Sequence, residues 1–160
     1  MDVIDLLRWL HVIGATVILG TGAGIAFFMV MAHRSGDPRL VAHVAGTVVV
    51  ADALFTATAI IVQPITGALL AWETGWSLRE GWIVVSLGLY VFVGLFWLPV
   101  VAIQIRLRNL AAAAAANARP LPDAYHRLYL VWLVCGFPAF AAVLAIVWLM
   151  LVRPAIPILR

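Results

Sequence analysis

Four long apolar runs, separated by polar breaks, organise the chain: Trp9 to Ala32, Leu40 to Trp72 with one interruption at Asp52, Gly81 to Ile105, and Leu128 to Val152. About 20 helical residues cross a bilayer, so each run predicts one transmembrane helix. The runs are apolar at odd and even positions alike, which excludes the alternating pattern of a membrane β-barrel. The expected fold class is all-α: one domain over residues 1–160, a polytopic four-helix up-down bundle with spans at about 6–32, 40–72, 81–107 and 124–152. The second run is longer than a bilayer requires, so its helix should tilt, bend or project. Pro64 is the expected bend, because its ring clashes with the carbonyl of Ile60. The breaks Arg34 to Arg39 and Glu73 to Glu80 are short, and the break Arg106 to Pro122 is longer. It contains an alanine run, Ala111 to Ala116, that should carry helix 3 past the bilayer until Pro120 and Pro122 stop it.

Composition narrows the picture further. Hydrophobic residues make up 66% and charged residues 11% of the chain, with a mean hydropathy of +1.12. A soluble domain carries roughly 25% charged residues, so a water-soluble enzyme, a disordered segment and a disulfide scaffold are all excluded. The net charge of +3 comes from arginines without a single lysine, placed at the ends of apolar runs. These are topology signals and do not form a nucleic-acid patch. Arg34, Arg39, Arg106, Arg108, Arg119 and Arg127 fall on one side, against Arg8, Arg79, Arg153 and Arg160 on the other. The positive-inside rule then predicts a multi-pass protein of the bacterial inner membrane with both termini in the periplasm. Trp9, Trp72, Trp76, Trp82 and Trp148 mark the opposite, outer boundary as an aromatic belt. Asp2 and Asp5 stand where a cleavable signal would be basic, so the first run is expected to be retained. Cys135 lies inside an apolar run and offers neither a disulfide nor a four-cysteine metal site within one chain.

In so apolar a chain the informative residues are polar ones inside spans, which are costly unless they meet a partner, a cavity or a ligand. Histidines come first. His11 lies near the outer end of helix 1, while His33, His43 and His126 lie near the inner boundary; His11 and His33 stand ~33 Å apart along the helix and cannot share a site. Two imidazoles on facing helices are a common way to hold a b-type haem, and His with Met or carboxylate can hold copper; His43 with His126 is one candidate pair. Around His11 the helix face continues through Gly14, Ala15, Ile18 and Gly22, small residues that could form a groove for a porphyrin or allow close helix packing. Asp52 is the one carboxylate within a span. Asp52, Thr56 and Gln63 share a face of helix 2 in ideal α-geometry, continued by Thr66 and Gly67, and helix 3 carries Ser86, Tyr90, Trp97 and Gln104 at helical spacing. Two such stripes facing each other would line a cavity or proton path, or would fix helix register by hydrogen bonds.

The segments Arg8 to Ala15 (R-W-L-H-V-I-G-A), Gln63 to Leu70 (Q-P-I-T-G-A-L-L), Trp97 to Arg106 (W-L-P-V-V-A-I-Q-I-R) and Gly136 to Phe140 (G-F-P-A-F) resemble the integral membrane family of unknown function numbered 2269. That family is itself distantly similar to copper-export membrane domains and to haem-binding membrane protoporphyrinogen oxidases. The oxidase likeness implies a haem ligand at His11; those oxidases also use a lysine in a later helix, which this chain lacks. Two functions follow as expectations. The first is binding of haem b at His11, or at His43 and His126, with Gly14 and Gly22 beside the cofactor, for electron transfer with a redox partner or quinone. The alternative is a channel, carrier or metal-handling protein using Asp52, Thr56, Gln63 and Gln104. The lipid bilayer is the expected partner in either case, and a homo-oligomer could complete a site at His11.

Overall fold

The computed structural model describes residues 2–157. They form four long helices: α1 (Val3–Ser35), α2 (Pro38–Glu73), α3 (Gly81–Ala116) and α4 (Asp123–Val152), with no strand among the described residues. All four are long and apolar enough to cross a membrane. An even number of crossings places the two ends of the bundle's chain on the same side.

Local chemistry explains where each helix begins and ends. Asp2 caps α1 by accepting from the Asp5 N–H at 2.7 Å. The α1–α2 turn is two residues long: Gly36 closes α1 with φ 67°, a conformation that glycine adopts without a Cβ penalty, and Asp37 caps α2 through the Arg39 N–H at 2.8 Å. Pro38 then occupies the first helical position, where no N–H is needed. The alanine run is helical to Ala116, so α3 projects beyond the apolar segment as expected. There its buried Leu107 and Ala111 pack with Val41 and Ala45 of α2 and with Tyr125 of α4.

Helix α2 departs from the expected form. It is not interrupted at Pro64; the irregularity lies earlier, in a π-helical turn over Asp52–Thr56, closed by the Ala57 N–H bonding to the Asp52 carbonyl. The proline is accommodated by its neighbour. Pro64 cannot donate to the carbonyl of Ile60, and the Tyr90 hydroxyl of α3 donates to that oxygen instead.

Neighbouring helices pack in chain order, α1 on α2, α2 on α3 and α3 on α4, and α4 returns to α1 with the sparsest contact. At the tryptophan-rich end the chain after α4 turns back over α3. Arg153, with φ 47°, sets its guanidinium over the rings of Trp76 and Trp82, 5.6 and 5.8 Å from their centroids. Ile156 then passes so close to Gly81 that a Cβ there would meet the Ile156 carbonyl oxygen at 2.1 Å. Trp82 is consequently buried, while Trp72, Trp9 and Trp148 stay exposed as a belt would require.

Candidate functional site

A cavity of about 380 Å³ lies among all four helices. Ile18, Gly22 and Ala26 of α1 form one wall and Gly136, Phe137 and Phe140 of α4 another, so most of its lining is apolar. Its polar groups come from α2 and α3, with the indole N–H of Trp132 from α4. Asp52 is 4% exposed and stands ~21 Å along α2 from Pro38 and ~32 Å from Glu73, close to the middle of the helix. Both carboxylate oxygens accept hydrogen bonds. Trp97 Nε1 donates to Oδ1 at 3.5 Å, and Gln104 Nε2 donates to Oδ2 at 2.8 Å in the amide orientation that also lets its Oε1 accept from Trp132 Nε1 at 3.3 Å. Thr56, 5% exposed, also lines the cavity, and its hydroxyl has no partner. No Arg, Lys or His lines this space, and the only ion pair among the described residues is the exposed Arg8–Asp5 contact at 3.6 Å. The arrangement is a hydrogen-bonded carboxylate without a counter-cation, placed against open apolar volume.

Toward the tryptophan-rich end the polar residues of α2 do something different. Gln63 does not line the cavity beside Asp52 and Thr56; it lies against Gly14 of α1, where a Cβ would stand 2.5 Å from Gln63 Oε1. The physical reason is the π turn, which advances the chain by less than 100° per residue and rotates everything after it toward α1. Thr66 follows the same rotation. Its hydroxyl donates to the Val62 and Gln63 carbonyls at 2.9 and 3.1 Å, and therefore accepts from His11 Nδ1 at 2.9 Å. Gly67 makes room for the same imidazole, since a Cβ there would be 3.1 Å from His11 Cε1. The groove expected beside His11 is thus filled at Gly14 by Gln63, whereas Gly22 opens on the central cavity.

The family described as "Predicted integral membrane protein (DUF2269)" matches residues 5–154 of the chain. The chain belongs to the DUF2269 family. Its description agrees with the four apolar helices and carries no activity. No curated protein and no solved structure matches the chain.

The histidines of this DUF2269 protein are dispersed. His43 is exposed in a surface groove between α1 and α2, with Thr21, Gly24, Phe28 and Thr47. His126 meets His33 instead of His43: the two rings are 5.7 Å apart edge to face, and His33 lies flat on Tyr129 at 3.7 Å with 7° between planes. Depth alone suggested the His43–His126 pair, and the azimuth around each helix separates them. His33 Nδ1 and the hydroxyl of the fully buried Tyr125 have no partner in this stack. Among the described residues no three His, Cys, Asp or Glu side chains group as a metal site. His11 is engaged by Thr66 through Nδ1 and packs against Gly67 of α2. Met29 is 1% exposed in the core next to Ile25 and Ala32.

Sequence reasoning placed Asp52, Thr56 and Gln104 in one site and missed Trp132, Phe137 and Phe140 across the cavity on α4. A signal was available for Trp132: it follows Leu128 and Tyr129 on the face that begins at the buried Tyr125.

Proposed function

We propose that this protein is a membrane carrier whose central cavity binds a small, largely apolar solute with a polar head seated on Asp52. The observation that carries the reading is the pairing of a buried carboxylate and an unpartnered Thr56 hydroxyl with open volume bordered by all four helices. Carboxylates inside spans are costly, by about 2.5 to 3.5 kcal/mol on insertion scales, and are characteristic of solute and proton pathways. A cavity of this size with few polar groups among apolar walls is the usual form of a small-molecule site. We place the arginine-rich end of the bundle in the cytoplasm of a bacterial cell, following the charge asymmetry of its loops.

Proteoliposomes holding a pH-sensitive dye test the carrier. With tetrabutylammonium added outside as the solute, proton movement should exceed that of protein-free vesicles, and Asp52→Asn should return it to their level. Equal movement with the wild type and the variant overturns the reading. None of the four histidines lines the cavity, so an absorption spectrum is the matching control. A Soret band lost on His11→Ala or His43→Ala would put electron transfer through haem in its place.

A further inference from the structure

The central cavity has a charge problem that its own residues do not solve. Asp52 accepts N–H groups at both oxygens, from Trp97 and Gln104, so in this arrangement neither oxygen needs a proton to complete its hydrogen bonding. Both donors are neutral N–H groups and bring no positive charge. No basic side chain reaches it from any helix: α1 contributes only apolar residues, α2 adds Thr56 and Ile60, α3 adds Trp97 and Gln104, and α4 adds Trp132 with aliphatic and phenyl groups. Arg106 and Arg108, the arginines that follow Gln104 along α3, do not line the cavity, and the Arg108 guanidinium donates to Asn109 at 3.0 and 3.1 Å. In an apolar interior an ionised carboxylate needs a compensating positive charge.

Aromatic rings supply the second half of the argument. Trp97, Trp132, Phe137 and Phe140 line the cavity around Asp52, and aromatic faces attract cations, most strongly when water is excluded. The indole N–H groups of Trp97 and Trp132 are directed to Asp52 and Gln104. A buried carboxylate beside two indoles, with the exposed Phe137 and Phe140 farther out and no basic side chain in the lining, is complementary to one kind of guest.

We propose that the solute is a hydrophobic monovalent cation, such as a lipophilic quaternary ammonium or phosphonium, that replaces the proton neutralising Asp52. This rests on the carrier reading above and adds the sign of the solute's charge. Cation and proton then compete for one carboxylate: one proton leaves Asp52 for each cation bound, and the cavity's net charge is unchanged. No other titratable side chain lines the cavity, so one proton is exchanged per cation.

The test is equilibrium dialysis of radiolabelled tetraphenylphosphonium against the purified full chain in detergent, across a series of pH values, with neutral triphenylphosphine oxide as the uncharged probe. Cation affinity should rise about tenfold per pH unit at the acid end of the series and level off at higher pH, as linkage to one proton requires. The neutral probe should bind more weakly with no pH dependence. Asp52→Asn should weaken cation binding at least tenfold and abolish its pH dependence, while Asp52→Glu should keep both. Trp97→Phe, which retains a ring and loses one donor, should weaken cation binding by a few-fold. If the neutral probe binds as tightly as the cation, or cation binding ignores pH in the wild type, the charge assignment is overturned and the cavity stands. If neither probe binds, the carrier reading fails and this inference with it. The wild-type pH series decides the matter even if Asp52→Asn does not fold.

Discussion

The two halves of α2 carry similar polar residues and use them in opposite ways. Between α1 and the second half of α2 the side chains are closely fitted: Gln63 lies on Gly14, although its Oε1 accepts no hydrogen bond, and His11 lies on Gly67 and bonds Thr66. Around the first half, Asp52 and Thr56 face open volume, and the Thr56 hydroxyl is left without a partner. The seam is packed and holds two helices together; the cavity is open volume with its polar groups gathered around Asp52. Glycine makes the same distinction. A Cβ on Gly14 would collide with Gln63, whereas a Cβ on Gly22, which also lines the cavity, meets nothing within 4 Å.

The largest effect should come from overfilling the seam. Gly14→Val forces Gln63 aside and should destabilise the detergent-solubilised protein by about 1 to 3 kcal/mol, read as a fall in thermal midpoint. Adding Gln63→Ala should recover most of the loss. If it does not, the contact between these residues is not what holds the seam. The matching change in the cavity, Gly22→Leu, should leave stability within about 0.5 kcal/mol of wild type, because the side chain grows into free volume. It should weaken tetraphenylphosphonium binding at least tenfold, and normal binding by a stably folded variant would show that the cavity is not the site.

Between these lies the proline. Tyr90→Phe leaves the Ile60 carbonyl without a donor and should cost about 1 kcal/mol. In a Pro64→Ala background, where the backbone regains its N–H, that cost should shrink toward zero, and a double-mutant cycle measures the difference. The smallest effects compare two threonines. Thr66→Val removes the acceptor for His11 and should cost about 1 kcal/mol, whereas Thr56→Val replaces an unpartnered buried hydroxyl with a methyl and should be neutral or slightly stabilising. Equal losses for the two would erase the contrast between seam and cavity.

How much of this was legible in the chain depended on the range of the information. Spans, caps and the short α1–α2 turn are local, and Gly36, Asp37 and Pro38 spell out that turn. Asp52, Thr56 and Gln104 could be singled out because a polar residue in an apolar run is conspicuous wherever it points. Gln63 was misassigned because an ideal helical wheel has no π turn, and the residues Asp52–Thr56 carry no proline or glycine that would announce one. Which helix meets which was also hidden. His43 and His126 share a depth, and only the packed bundle shows that His126 turns to His33 and His43 to the α1–α2 groove. Tyr125 and Tyr129 were overlooked for the same reason, since their role lies in stacking against a residue of another helix.

The sparse contact between α1 and α4 bears on how a solute reaches the cavity. Helices α3 and α4 are tied at one end by Ile156 over Gly81 and at the other by Leu107 with Tyr125, so that pair is poorly suited to parting. The α1 and α4 walls are lined by small residues, Gly22, Ala23 and Ala26 on one and Gly136 and Ala139 on the other, with little packing between the helices. On the carrier reading, a solute dissolved among the acyl chains would meet this seam first and reach Asp52 sideways, from the lipid, and not along the axis of the bundle.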